Sequence, residues 1–121
     1  MTKSNCRYES RFEDGVLEFS LLGEIDHHSA VNVRTEMDEE ICRLRPKRLI
    51  LELGKIEFMD SSGLGLIMGR YSLMQKLGGE FALRNPNERI VKIFELAGLS
   101  RIVRIESGAK NDSEEVKNES K

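Results

Sequence analysis

Cys6, Tyr8, Ser10 and Phe12 alternate with Arg7, Glu9, Arg11 and Glu13, a period of two that predicts a half-buried strand. Asp14-Gly15 is a tight-hairpin signal, and residues 16–22 predict a second strand with Leu17, Phe19 and Leu21 on one face. Residues 23–29 read as a polar connection. Beyond it Ala30, Val33, Met37, Ile41 and Leu44 fall on one helical stripe. Glu36, Asp38, Glu39 and Glu40 line its solvent side, and Pro46 stops it. Residues 48–53 predict a third strand. Asp60 stands where a helix N-cap belongs. Leu64, Ile67, Tyr71 and Met74 then mark a helix over residues 61–77, ended by Gly78-Gly79. Residues 80–83 predict a short fourth strand. Asn85-Pro86-Asn87-Glu88 reads as a capping box with Asn85 at the cap, Pro86 at the first helical position and Glu88 at the third. Ile90, Ile93, Phe94 and Ala97 give the apolar face of that third helix, Gly98 ends it, and residues 102–106 predict a fifth strand.

The order is β-β-α-β-α-β-α-β. It predicts an α/β fold: a mixed, mainly parallel sheet opened by an antiparallel hairpin. Leu49, Leu51 and Leu53 alternate with Arg48, Ile50 and Glu52, and the fourth and fifth strands alternate in the same way. A sheet covered on both faces would show continuous apolar runs. Right-handed crossovers that add strands in one direction place successive helices on one side. The expectation is helices packed on one face and a partly solvated opposite face. Residues 1–106 form one domain in this reading. Residues 107–121, with only Ala109 and Val116 apolar, are expected to form a mobile polar tail.

A length of 121 residues suits one domain, large enough to bury roughly two-thirds of its extended surface. The formal charge of −2 and the scattered basic residues argue against direct nucleic-acid binding. No run of about 18 apolar residues exists to span a membrane, and the N-terminal residues lack an apolar secretory core. Cys6 and Cys42, in no CxxC pattern, read as reduced thiols in a cytoplasmic protein.

The stretch with chemical promise is Phe58-Met59-Asp60-Ser61-Ser62-Gly63-Leu64-Gly65. With Asp60 as the cap, Ser61 falls in the first helical turn with its hydroxyl exposed. Gly63 and Gly65 remove bulk where another protein could approach. One reading is an ordinary cap followed by small residues for packing. The other is a phosphorylatable serine, because a helix N-terminus tolerates an added phosphate. Gly63-x-Gly65 does not continue into GxGxxG, no GK[ST] follows, and Ser61 is not flanked as GxSxG. A hydrolase could nominally pair Ser61 or Ser62 with His27 or His28 and with Asp26 or Glu24, but no third orienting group is evident. A metal site of Asp26, His27 and His28 lacks further ligands, so no metal and no cofactor are expected.

Gly23-Glu24-Ile25-Asp26-His27-His28, Phe58 through Gly65, Gly69-Arg70-Tyr71, Gly78-Gly79-Glu80 and residues 94–105 together resemble a STAS domain. The resemblance covers residues 16–106 and is to the anti-sigma-factor antagonists, more narrowly to the sporulation branch acting in the sigma-F pathway. It implies a STAS fold and a regulatory binding protein, not an enzyme. In its unphosphorylated form such a protein binds an anti-sigma factor, which is also an ATP-using serine kinase, and so releases the sigma factor. The resemblance assigns phosphorylation to Ser61 and reversal to a serine phosphatase. Asp60 and Ser62 shape the loop, Gly63, Leu64 and Gly65 belong to the contact surface, and Glu24, Asp26, His27 and His28 form a neighbouring rim. Acids beside Ser61 repel a phosphate, so their implied role is partner recognition. Family members commonly close with a helix packed on the core; residues 107–121 are too polar for one. Alternatives are an antagonist in a stress-response sigma pathway and a small serine hydrolase.

Overall fold

The computed structural model describes residues 6–107. β1 (Cys6–Glu13) and β2 (Val16–Ile25) form an antiparallel hairpin. Its turn residues, Asp14 at φ 54° and Gly15 at φ 80°, both have the positive φ that a two-residue loop between right-twisted strands demands. Then follow α1 (His27–Leu44), β3 (Arg48–Met59), α2 (Ser61–Leu77), β4 (Glu80–Arg84), α3 (Glu88–Leu96) and β5 (Arg104–Glu106). The strands lie in sequence order, with β2 to β5 mutually parallel. The sheet is therefore mixed, mainly parallel and opened by the expected hairpin.

Strand positions of one parity meet all three helices. Leu17, Phe19, Leu21, Leu49, Leu51, Leu53 and Leu83 share one buried cluster with Val33, Met37 and Ile41 of α1, Ile67 and Met74 of α2, and Ile90 and Phe94 of α3. The helices thus cover a single face. The other face is less solvated than its alternation implies. Glu18, Ile50, Ala82 and Arg104 lie in one row across the sheet. Ile50 and Ala82 are buried within it. An ion-pair lattice surrounds them: Glu18 takes Arg11 and Arg84, and Glu106 takes Arg84, Arg48 and Arg104. Each such pair contributes little alone; together their aliphatic stems cover the apolar row.

Five boundaries differ from the sequence pattern by two residues or more. Residues 23–25 are the end of β2, and His27 and His28 open α1 instead of lying in a loop. β3 runs six residues past Leu53. Its pairing with β2 slips twice, between Ser20 and Leu22 and between Gly23 and Glu24. The buried positions therefore step by three, Leu53 to Ile56 to Met59, which hides a strand from a period-two reading. β4 follows β3 only as far as Glu52; beyond it, Asn87 Nδ2 donates to the Ile56 carbonyl at 3.3 Å.

The third helix is capped by Asn87, not Asn85. Asn87 Oδ1 accepts from Ile90 N at 2.9 Å. Asn85, just past the end of β4 with φ 58°, is held against the sheet instead: its N–H donates to the Glu106 carbonyl, and its amide donates to Glu52. The fifth strand starts at Arg104, because the Ile102 and Val103 N–H groups both turn back to the Leu99 carbonyl at 3.0 Å. The polar tail read from the sequence lies, from residue 108 onward, outside the described residues.

Candidate functional site

β2 and β3 end side by side, with Ile25 opposite Met59. Each strand passes directly into an aspartate that caps the next helix. Asp26 and Ser29 form a closed capping box on α1: Asp26 Oδ1 accepts from Ser29 N at 2.9 Å, and Asp26 N donates to Ser29 Oγ at 3.1 Å. Asp60 caps α2, accepting from Ser62 N at 2.8 Å, while Gly63 N donates to the Asp60 carbonyl. The Asp60 N–H donates to the Ile25 carbonyl at 3.2 Å, which ties the two capped corners together. Both helix N-termini thus meet at the carboxyl edge of the parallel strands, where open α/β sheets bind their ligands.

Ser61 is the first residue of α2 and is exposed; Ser62 is half-buried. Gly63 is buried for an internal reason, since a Cβ there would come within 2.0 Å of Met59 Cγ. Leu64 is half-buried and packs on the core. Gly65 is exposed, and a Cβ placed on it, or on Gly69 one turn later, would meet nothing within 4 Å. A mid-helix glycine costs roughly 0.5–1 kcal/mol relative to alanine, and no intramolecular contact at these two positions requires it.

A shallow groove of about 250 Å³ runs between α1 and α2 next to Ser61. His27, Ala30, Val31 and Arg34 line one wall, and Ser62, Gly65 and Leu66 line the other. Of the residues singled out in the sequence, the groove gathers His27, Ser62 and Gly65. Asp26 and Asp60 stand at the caps. Glu24, exposed at the end of β2, pairs with Phe58 of β3. His28 is exposed in the first turn of α1 and does not line the groove. Val31 and Arg34 escaped the sequence reading, and Phe58 was quoted there only as part of the loop stretch. Val31 and Phe58 are 44% and 41% exposed, and Arg34 lines the groove. The only signal for Val31 was an apolar residue lying off the helical stripe.

The groove places Ser62 and His27 together, but among the described residues no hydrogen bond joins them, and Ser29 engages the Asp26 carboxylate. Nor do three His, Cys, Asp or Glu side chains gather into a metal-binding group among the described residues. Cys6, at the start of β1, is buried, while Cys42 on α1 is exposed. Burial, helped by the Asp26 charge, pushes the Cys6 thiol up to about 11, which makes it a poor nucleophile. No helix among the described residues is long and apolar enough to cross a membrane.

A mixed five-stranded sheet with three helices on one face and two aspartate-capped corners at its carboxyl edge is the STAS fold, and the chain belongs to the STAS domain family, whose model matches it over residues 7–111. An anti-sigma F factor antagonist of Paenibacillus polymyxa is 42% identical over 84% of this chain and 86% of its own length. An anti-sigma-B factor antagonist of Bacillus subtilis is 29% identical over 84% of this chain and 91% of its own. Among solved structures, the anti-sigma factor antagonist SpoIIAA in its unphosphorylated form superposes with a TM-score of 0.72 at 27% identity, covering 82% of this chain and 87% of that one. The phosphorylated form of the Bacillus SpoIIAA gives 0.67 at the same identity, covering 82% and 90%. These relatives are regulatory binding proteins, not enzymes.

Proposed function

We propose that this chain is an anti-sigma factor antagonist whose docking surface is the corner around Ser61, and that phosphorylation of Ser61 switches it off. The observation that carries the reading is an exposed serine hydroxyl at the first position of an aspartate-capped helix, in a chain 42% identical to an anti-sigma F factor antagonist. The unphosphorylated protein binds an anti-sigma factor that is also an ATP-using serine kinase, and the bound sigma factor is displaced. Glu24, Asp26, His27, His28, Asp60, Ser62, Gly63, Leu64 and Gly65 form or shape the contact surface. The higher identity to the sigma-F relative than to the sigma-B relative favours the sporulation pathway.

In the transfer, Ser61 Oγ bonds to the γ-phosphorus of ATP, the bond to ADP breaks, and the hydroxyl proton leaves to a base of the kinase. A serine phosphatase hydrolyses the ester and restores the alcohol. The phosphate adds about −1.5 to −2 charge. The helix N-terminus accepts that charge in the free protein. Packed in a partner interface without a counter-charge, it costs several kcal/mol to desolvate. A loss of about 4 kcal/mol is roughly a thousandfold in affinity. One ester therefore ends docking and leaves the fold intact.

The test is incubation with the cognate anti-sigma kinase and ATP, read by intact mass. Wild type gains about 80 Da, one phosphoryl group, and Ser61→Ala does not, while Ser62→Ala still does. Phosphate on Ser61→Ala removes the site assignment. Ester hydrolysis by the purified protein alone removes the binding-protein class.

A further inference from the structure

α1 and α2 touch through one ion pair that the proposed docking surface does not itself include. Arg70 of α2 is only 5% exposed. Its Nε lies 2.8 Å from Asp38 Oδ1, and its Nη2 donates to Asp38 Oδ2 at 3.2 Å. Its third arm, Nη1, donates to the Leu66 carbonyl at 3.2 Å. The guanidinium therefore reaches α1 through one hydrogen bond and a close charge contact, with Nε and Asp38 Oδ1 themselves unaligned for a hydrogen bond, and α2 through a carbonyl one turn back. Both anchor points adjoin the groove: Leu66 lines it directly, and Asp38 follows the groove-lining Arg34 by one helical turn.

Arg70 is buried while the Asp38 side chain is 36% exposed, so the desolvation of the guanidinium cancels much of an attraction that solvent already screens on the Asp38 side, and the pair is a poor source of stability. Burial in fact pulls the Arg70 guanidinium down from its ordinary range, and neighbouring Arg34 adds repulsion against the support of Asp38. What the planar fork supplies is direction. Leucine and methionine contacts between helices permit sliding; one rigid guanidinium that donates across to the Asp38 carboxylate and back to the Leu66 carbonyl resists it.

We propose that the Arg70–Asp38 pair is a positioning device: it fixes the spacing and register of α1 against α2, and thereby holds the groove beside Ser61 in the shape its partner docks on. This rests on the docking surface proposed above. Neither residue touches the partner; both act through the groove walls.

The apolar replacement Asp38→Leu/Arg70→Met separates positioning from stability. The double variant is expected to melt within a few degrees of wild type, or higher, yet to bind the anti-sigma kinase about tenfold more weakly, with KM for Ser61 phosphorylation raised and kcat unchanged. In a Cys42→Ser background, nitroxides at Val31→Cys and Gly65→Cys report the groove width without any partner. Their distance distribution is narrow with the pair intact and broad in the double variant. A double variant that melts like wild type and keeps both wild-type affinity and a narrow distribution overturns the proposal. If that variant does not fold, Asp38→Asn answers instead. It retains an acceptor and loses the charge, and wild-type affinity together with a narrow distribution in it is equally fatal. Failure of the wild type itself to bind the kinase defeats the proposed function, while the spin-label distances still decide whether the pair sets the groove.

Discussion

Gly63 and Gly65 sit two residues apart on one helix, and alanine at the two positions should act in opposite directions. At Gly65 a new Cβ meets nothing within 4 Å, so the change contributes only helix preference, about 0.8–1 kcal/mol of stabilisation. At Gly63 the Cβ would lie 2.0 Å from Met59 Cγ, 2.6 Å from its Sδ and 3.1 Å from Ile25 Cγ2. Met59 and Ile25 are both buried and cannot swing into solvent. Overpacking of that kind costs about 1–3 kcal/mol; less the same helix preference, the net is a loss of up to about 2 kcal/mol. At roughly 4 °C per kcal/mol for a domain of this size, Gly65→Ala should melt about 3–4 °C above wild type and Gly63→Ala up to about 8 °C below it. Differential scanning calorimetry measures this directly. The second half of the argument concerns docking. Gly65→Leu leaves the fold intact but fills the groove next to Ser61, so affinity for the anti-sigma kinase should fall at least about tenfold, or 1.4 kcal/mol. A Gly65→Ala that melts below wild type, or a Gly63→Ala that melts above it, refutes the packing account. A Gly65→Leu that binds normally removes the groove from the interface.

Other outcomes follow from the same geometry. Ser61→Asp should melt like wild type, because the helix N-terminus accepts the charge, yet bind the kinase more weakly; unchanged affinity in a titration would count against the electrostatic switch. Asp60→Ala removes the α2 cap and should cost about 1 kcal/mol in urea unfolding, with Asp60→Asn recovering most of it. Cys6, raised from 9.0 to about 11 by burial and then by Asp26, ionises later in the folded than in the unfolded chain. Its contribution to stability is therefore complete below pH 9.0 and is lost as the pH rises to about 11. The urea midpoint should fall across that window in wild type and stay flatter in Cys6→Ala. In native protein a thiol reagent should modify Cys42 rapidly and Cys6 only on unfolding.

The fold was legible wherever one period held. Leu17, Phe19 and Leu21 alternate cleanly, and Val33, Met37 and Ile41 trace one helical stripe; both elements exist as the pattern puts them, although β2 ends later and α1 begins earlier than it implies. Legibility failed where local geometry overrode the period. Two slips in the β2–β3 pairing turned the spacing Leu53, Ile56, Met59 into something unlike a strand. Two asparagines two residues apart both suit a cap, and a cross-strand bond from Asn85 to Glu106 decided between them. The Asp60-Ser61 corner could be read because capping is a local chemistry. The groove could not, since Val31 and Arg34 join it only through the packing of α1 on α2. The sealing of Ile50 and Ala82 beneath arginine and glutamate side chains likewise depends on residues from all five strands.

Past Glu52 the third strand leaves its β4 neighbour behind and runs on to Met59 held along one side by β2, with a single asparagine amide reaching it from the other. It overhangs the five-stranded slab on its β4 side only, and it delivers Asp60 and Ser61 to the start of α2, pinned to β2 by the Asp60 N–H bond to the Ile25 carbonyl. On the proposed reading, a kinase that draws the Ser61 alcohol into its cleft would approach the least braced edge of the sheet. Amide exchange along residues 54–59 should accordingly outpace that of residues 49–52 in the same strand.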